Sequence, residues 1–313
     1  MNNIYLFSRL KASSFLIIGI IFISTFQSFQ AKANTELEDY SLQLSLIADI
    51  KKYCSDELGL RLGTHFYTEW EAEDGLLHYV YVSKSNEIAV PAGLNEYYYY
   101  GTNRKHAVRA AAQFTAKGYH TLVYQTAGTS ATLLNKALMS YSMEAIAVIV
   151  FHEALHVHLR SMNRTIPLSI EEAAADVLAK RVTVEYLKNQ KLIQKKPLKN
   201  ILKTMEKIYK TINTSQTKIQ DFSEQSNSIY KTCDKKIKRA LKKGDNYQKT
   251  RFTYPINNAY FVRNSYYSEY YFTLDKLYGK LNSTKGFIQF MSDLPNNLDV
   301  SLLLIESKLS NLI

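Results

Sequence analysis

Leu37, Tyr40, Leu44 and Ile47 recur at alternating spacings of three and four, and Ile50 and Cys54 continue the series. That period predicts an amphipathic helix over residues 36–60. The pattern then changes. Residues 78–82 and 87–90 carry the β-branched and aromatic side chains of strands, with 83–86 as the turn between them, and 97–100 read as another strand. Residues 104–117 return to a helical pattern, which Gly118 closes in the left-handed conformation that glycine adopts without a steric penalty. A short strand over 119–125 follows. From 143 to 160 the positions are apolar almost all round, as in a helix buried on every side. A polar break over 161–167 precedes a second helix, 169–187, where Ser169 and Glu172 have the spacing of a capping box. Residues 192–241 are mostly helical, interrupted near Pro197 and in the Thr/Ser/Gln-rich stretch 211–229, and 266–281 and 285–291 are further helices. The predicted fold class is α+β, mostly helical.

The N-terminus changes how the rest is read. Arg9 and Lys11 precede an apolar run over 15–23, and Ala31-Lys32-Ala33 is a small-x-small cleavage site. Residues 1–33 therefore read as a secretory signal peptide, with the mature chain starting at Asn34 and an uncleaved N-terminal anchor as the alternative. The apolar run is short of the roughly 20 residues that span a bilayer. The expected location is the periplasm or the medium. The remainder, 34–313, is long enough for one large domain or two small ones, and 46% hydrophobic with 21% charged residues is the composition of a globular chain.

The formal net charge of +11 falls to +8 once Arg9, Lys11 and Lys32 leave with the signal peptide. The surplus sits between Leu187 and Lys249. Such a face can make weak contact with an anionic envelope surface, although a solvated helical surface is the simpler reading. No aromatic-interleaved pattern for reading bases accompanies it, so a specific nucleic-acid partner is not expected. Cys54 and Cys233 are the only cysteines, and an oxidising compartment leaves their pairing open. Most of the 24 tyrosines read as amphipathic packing, with the lining of a sugar or peptide cleft as the alternative.

The chemistry lies in Phe151-His152-Glu153-Ala154-Leu155-His156, an HExxH match. On a helix, residues four apart share a face, so both imidazoles can reach one ion, while Glu153 stands beside them as a general base. A structural role for this helix alone would bury an unpaired carboxylate at a cost of several kcal/mol. A zinc site also needs a third protein ligand. The three-histidine continuation is absent, but Glu171-Glu172-Ala173-Ala174-Ala175-Asp176 lies on the next predicted helix. Its alanines permit close approach. Glu172 and Asp176 share a face, so one can bind the ion while the other accepts a hydrogen bond from a ligand histidine and fixes its tautomer. Glu171 is the competitor, expected about 100° round the helix and turned to its surface. His158 falls on another face.

These residues resemble the gluzincin pattern, HExxH followed by Glu-x-x-x-Asp on a neighbouring helix. Over residues 57–294 the chain is similar to a bacterial family of predicted zinc aminopeptidases. Tyr98-Tyr99-Tyr100-Gly101, the helix and strand over 107–124, Ser130-Ala131-Thr132-Leu133, the HExxH segment, Glu171-Glu172-Ala173-Ala174-Ala175 and Asn257-Asn258-Ala259 follow the family's order. The resemblance implies a zincin-like metallopeptidase domain, with 34–187 as catalytic core and 188–313 as a Lys- and Tyr-rich helical part. It implies Zn²⁺ held by His152, His156 and Glu172, a peptide or protein substrate, and aminopeptidase activity. It also offers Tyr267 as the donor that stabilises a developing oxyanion. The family's aromatic Trp-Phe-Asp-Pro region is not recognisable after Leu134, and no Gly-x-Met-Glu-Asn loop is present to hold a substrate amine. A rival expectation is a non-catalytic envelope binding or scaffold protein that retains the fold. Such a protein would have no use for Glu153.

Overall fold

The computed structural model describes residues 40–71, 76–126, 133–190 and 193–311; the expected signal peptide lies outside them. From residue 46 onward the described residues form one compact unit. The described residues are mostly helical with two small sheets. No described helix is long and apolar enough to cross a membrane.

Helix α1 (Ser41–Asp56) buries Ile47, Ile50 and Cys54 of the predicted stripe together with Leu46, while Leu44 is half-buried. Strand β1 (Glu69–Glu71) and strand β2 (Leu77–Ser83) follow. Next come β3 (Tyr97–Tyr99), α2 (Arg104–Ala116), β4 (His120–Thr126) and β5 (Leu133–Asn135). Strand β2 is central, antiparallel to both β3 and β4. Strands β1 and β5 form a separate parallel pair. Side chains alternate across a strand, and β2 uses both faces. Val80 and Val82 pack with Ala107 and Ala111 of α2, whereas Tyr79 and Tyr81 line a cleft on the opposite side. Gly118 closes the turn after α2 at φ +85°, as its position predicts.

The predicted strand over 87–90 does not form. Its backbone is held by side chains instead: Ser83 Oγ donates to the carbonyls of Glu87 and Ala89, and Asn258 Nδ2 donates to those of Lys84, Ser85 and Glu87. Carbonyls satisfied in this way need no ladder partner.

After a short helix α3 (Lys136–Met139), capped by Asn135, comes the hairpin of α4 (Met143–Ser161) and α5 (Leu168–Tyr186). Ser142 Oγ caps α4 by accepting from Ala145 N–H. Nearly all of α4 is buried, as the all-round apolar pattern predicts. Ala173, Ala174, Ala175 and Ala179 are fully buried on α5 and let the two helices pack closely. The predicted capping box is absent. Helix α5 starts behind Pro167 without a side-chain cap, and Glu172 is turned inward to the histidines.

Helices α6 (Lys195–Asp221) and α7 (Ser226–Leu241) form a second hairpin, broken by a 3₁₀ turn at Ser223–Gln225. They are followed by α8 (Asn246–Phe252), α9 (Asn258–Ser268), α10 (Tyr271–Leu281), α11 (Thr284–Asp293) and α12 (Leu298–Asn311). Helix α9 joins the two halves, packing on β2 and β4 and also on α5 and α6. Asn257 fixes its start: Oδ1 accepts from Tyr260 N–H, and Nδ2 donates to the Thr121 carbonyl of β4. Cys54 and Cys233 are both free and buried.

Candidate metal centre

Three donor atoms from α4 and α5 converge. His152 Nε2 lies 3.1 Å from His156 Nε2 and 3.2 Å from Glu172 Oε2, and the His156–Glu172 separation is 3.5 Å. Helical spacing puts the two imidazoles on one face of α4, and close packing of the alanine-rich α5 brings the carboxylate to them.

Both outer nitrogens are occupied. His152 Nδ1 lies 2.8 Å from Asp176 Oδ1, as the shared face of Glu172 and Asp176 predicts. His156 Nδ1 lies 2.6 Å from Glu171 Oε1. Glu171 is therefore not turned to the surface. The approach of α5 is close enough for successive glutamates to meet opposite edges of one ring, one at Nδ1 and the other at Nε2. The 100° between them at the helix axis is spanned by two flexible side chains and the width of the imidazole. With each Nδ1–H directed at a carboxylate, the neutral tautomers present bare Nε2 lone pairs to the centre.

A third bare acceptor faces them, because Glu172 Oε2 is buried without a hydrogen-bond partner. Three mutually facing lone pairs are unfavourable unless a cation lies between them. The electrostatics favour positive charge at this point, carried by a metal ion or, without one, by protons on the imidazoles. Burial opposes charge on His152, yet Asp176 and Glu172 carry its pKa up to about 9. Burial likewise opposes charge on His156, which Glu172 and Glu171 hold well above the ordinary imidazole value. Glu172, also desolvated, is held well below the carboxylate range by the two histidines. The donor set fits zinc. Ligands at about 2.0–2.2 Å from a tetrahedral ion stand about 3.3–3.6 Å apart, close to the three separations found here.

Asp176 is anchored from behind by residues that the sequence pattern did not single out. Arg251 Nη2 donates to Asp176 Oδ2 at 2.9 Å and to Tyr209 Oη at 2.9 Å, Arg251 Nη1 donates to Tyr247 Oη at 2.5 Å, and the Tyr209 hydroxyl donates to Asp176. Burial opposes ionisation of Asp176, but Arg251 and His152 bring its pKa down to about 2. Tyr209 is on the Lys-rich α6, where its one apolar face gave no sign of a role. Arg251 has no motif around it.

Glu153 lines the same cleft and makes no hydrogen bond among the described residues. Burial raises its pKa above the ordinary carboxylate value, against the pull of His156 and His152. Tyr267 lies beside the cluster, its ring 6.2 Å from that of His152 and inclined by 28°. Burial and Glu172 push its phenol well above pKa 10, so it keeps its proton. His158 is off the cluster and buried, accepting at Nδ1 from Arg61 N–H at 3.0 Å.

The cleft has a volume of about 390 Å³ and is lined by eight tyrosines, among them Tyr79, Tyr81, Tyr124 and Tyr267. Strand alternation delivers those of the sheet, so a third of the chain's tyrosines line the cleft.

Glu171→Ala is expected to weaken zinc affinity by about 10–100-fold, because His156 loses the acceptor that fixes its tautomer. Competition with a zinc-binding dye measures it, and an unchanged dissociation constant would show that the Glu171 contact does not orient the ring.

Comparison with protein-family models, with curated proteins and with solved structures finds no match to this chain.

Proposed function

We propose that this protein is a zinc-dependent peptidase built on a zincin-like core. The observation that supports it most is the convergence of His152 Nε2, His156 Nε2 and Glu172 Oε2 next to a Glu153 carboxylate that has no hydrogen bond. Those three side chains would hold the ion. Bound there, zinc supplies Lewis acidity, which polarises a carbonyl and makes water easier to deprotonate at neutral pH.

The remaining work belongs to the chain. Glu153 accepts a proton from the attacking water and returns it to the leaving amine, and its burial brings its pKa closer to the working pH. Asp176 and Glu171 keep the imidazoles in the tautomer that directs Nε2 inward. Tyr267 remains protonated beside His152 and offers a phenol O–H to the oxygen on which negative charge develops. The volume of the cleft is that of a site for a small ligand or a few peptide residues. The aminopeptidase refinement rests on the sequence resemblance alone. The acidic residues lining the cleft are Glu153, Glu171 and Glu172, all at the histidine end.

Metal analysis tests the reading. The purified protein is expected to hold about one equivalent of zinc, to hydrolyse peptides, and to lose both properties on His156→Ala. A wild-type protein that takes up no zinc at micromolar metal would end it.

A further inference from the structure

Two arginines line the cleft near Tyr267, and only one of them is neutralised. Arg251 is paired with Asp176. Arg263 is 1% exposed, yet it forms no ion pair with any described residue. Its guanidinium carbon lies 4.0 Å from the ring centroid of Tyr124 and 4.6 Å from that of Tyr267. Nη1 donates to Asn264 Oδ1 at 2.5 Å. Nε is buried without a partner, and Nη2 makes no hydrogen bond to the described residues. Nε and Nη2 form one edge of the guanidinium, the fork that fits the two oxygens of a carboxylate.

A buried cation without a counter-charge costs several kcal/mol unless something compensates it. The two aromatic faces recover part of that cost. They leave the Nε/Nη2 edge unused. At the mouth of the cleft, Arg160 and Arg164 are exposed and add positive potential. The acids of the cleft are engaged elsewhere: Glu171 on His156, Glu172 between the histidines, and Glu153 reserved for proton transfer. Among the described lining residues, the one carboxylate without a partner that a substrate ammonium group would find is Glu153, which the proposed mechanism uses for proton transfer. A substrate carboxylate would find Arg263.

We infer that Arg263 is an anion-recognition residue, and that the cleft selects peptides presenting a carboxylate to the Nη2 end of its guanidinium. The carboxylate is either the free C-terminus or an acidic side chain. This inference rests on the peptidase reading for its substrate class, but not for the anion site itself. Tyr267 connects the two, since its ring neighbours both the Arg263 guanidinium and the His152 imidazole. The anion is therefore held close to the reacting centre.

Calorimetry on the zinc-loaded Glu153→Gln full-length chain reads binding without turnover. Four probes are used: penta-alanine with a free C-terminus, its C-terminal amide, and two amidated pentapeptides with Glu or Gln at the centre. One carboxylate member is expected to bind about tenfold or more tighter than its neutral counterpart, as an added charged contact would give. Preference for acid over amide assigns the chain terminus, and preference for Glu over Gln assigns the side chain. Arg263→Lys keeps the charge but loses the planar fork, and is expected to cut that preference to about threefold or less. Equal affinities in both pairs, or no binding of either carboxylate peptide, overturn the inference even if Arg263→Lys does not fold. A folded Arg263→Lys with undiminished preference overturns it as well. Wild-type turnover is followed separately. Rapid hydrolysis of the neutral amides with equal affinities would remove the anion site and leave the peptidase reading standing. Selective binding without hydrolysis would do the reverse.

Discussion

Glu153→Gln is expected to retain a full equivalent of zinc while peptide hydrolysis falls by about 10²–10⁴-fold. The carboxamide has nearly the shape of the carboxylate but cannot accept the proton of the attacking water. Metal retention follows from the geometry, because the three converging donors belong to His152, His156 and Glu172. Relieving a buried carboxylate whose ionisation is opposed by burial is also expected to leave folding intact. Zinc stoichiometry and single-turnover rates, measured on the same preparation, decide the matter. Full activity in the variant would exclude Glu153 as the base, and loss of zinc would mean that it contributes to holding the ion.

Asp176→Ala is expected to have the largest effect on stability, about 3–5 kcal/mol. Asp176 is fully buried and accepts from His152, Tyr209 and Arg251 at once. Removing it leaves the Arg251 guanidinium desolvated and without a counter-ion. Zinc affinity is expected to fall as well, by about 10–100-fold, since His152 loses its orienting acceptor. Urea unfolding should be followed in the presence of a chelator, because bound zinc would add its own stabilisation and mask the difference. A loss under about 1 kcal/mol in the chelated protein would mean that Arg251 finds another partner.

The sequence made the metal cluster legible because both of its components are local. An i, i+4 pair on a helix that is apolar all round fixes His152 and His156, and the same spacing with alanines between fixes Glu172 and Asp176. The long-range half was not legible. Glu171 was expected at the surface because a helical wheel gives the direction of a side chain but not the distance to the next helix. Arg251, Tyr209 and Arg263 reach the site only through the packing of α6, α8 and α9, which no local period encodes. The segment 87–90 has the composition of a strand, yet Asn258, far along the chain, takes the Glu87 carbonyl, and Ser83 takes that of Ala89. Tyrosine alternation along β2 was visible as a strand pattern, and which face would be the cleft was decided by α2 taking the valines.

Helix α9 is pinned at Asn257 and Asn258 to the sheet and its loop, and carries Arg263 and Tyr267 one turn apart further along. The donor atoms at the centre are carried by a different pair of helices, α4 and α5. On the proposed reading, the side chains that would hold a metal and the Arg263 and Tyr267 that would face a substrate therefore belong to separate pieces of chain. Helix α9 lends the cleft Arg263, Tyr266 and Tyr267, and the sheet lends it Tyr79, Tyr81, Tyr97 and Tyr124, so substitutions on either piece can alter what enters while His152, His156 and Glu172 stay in place.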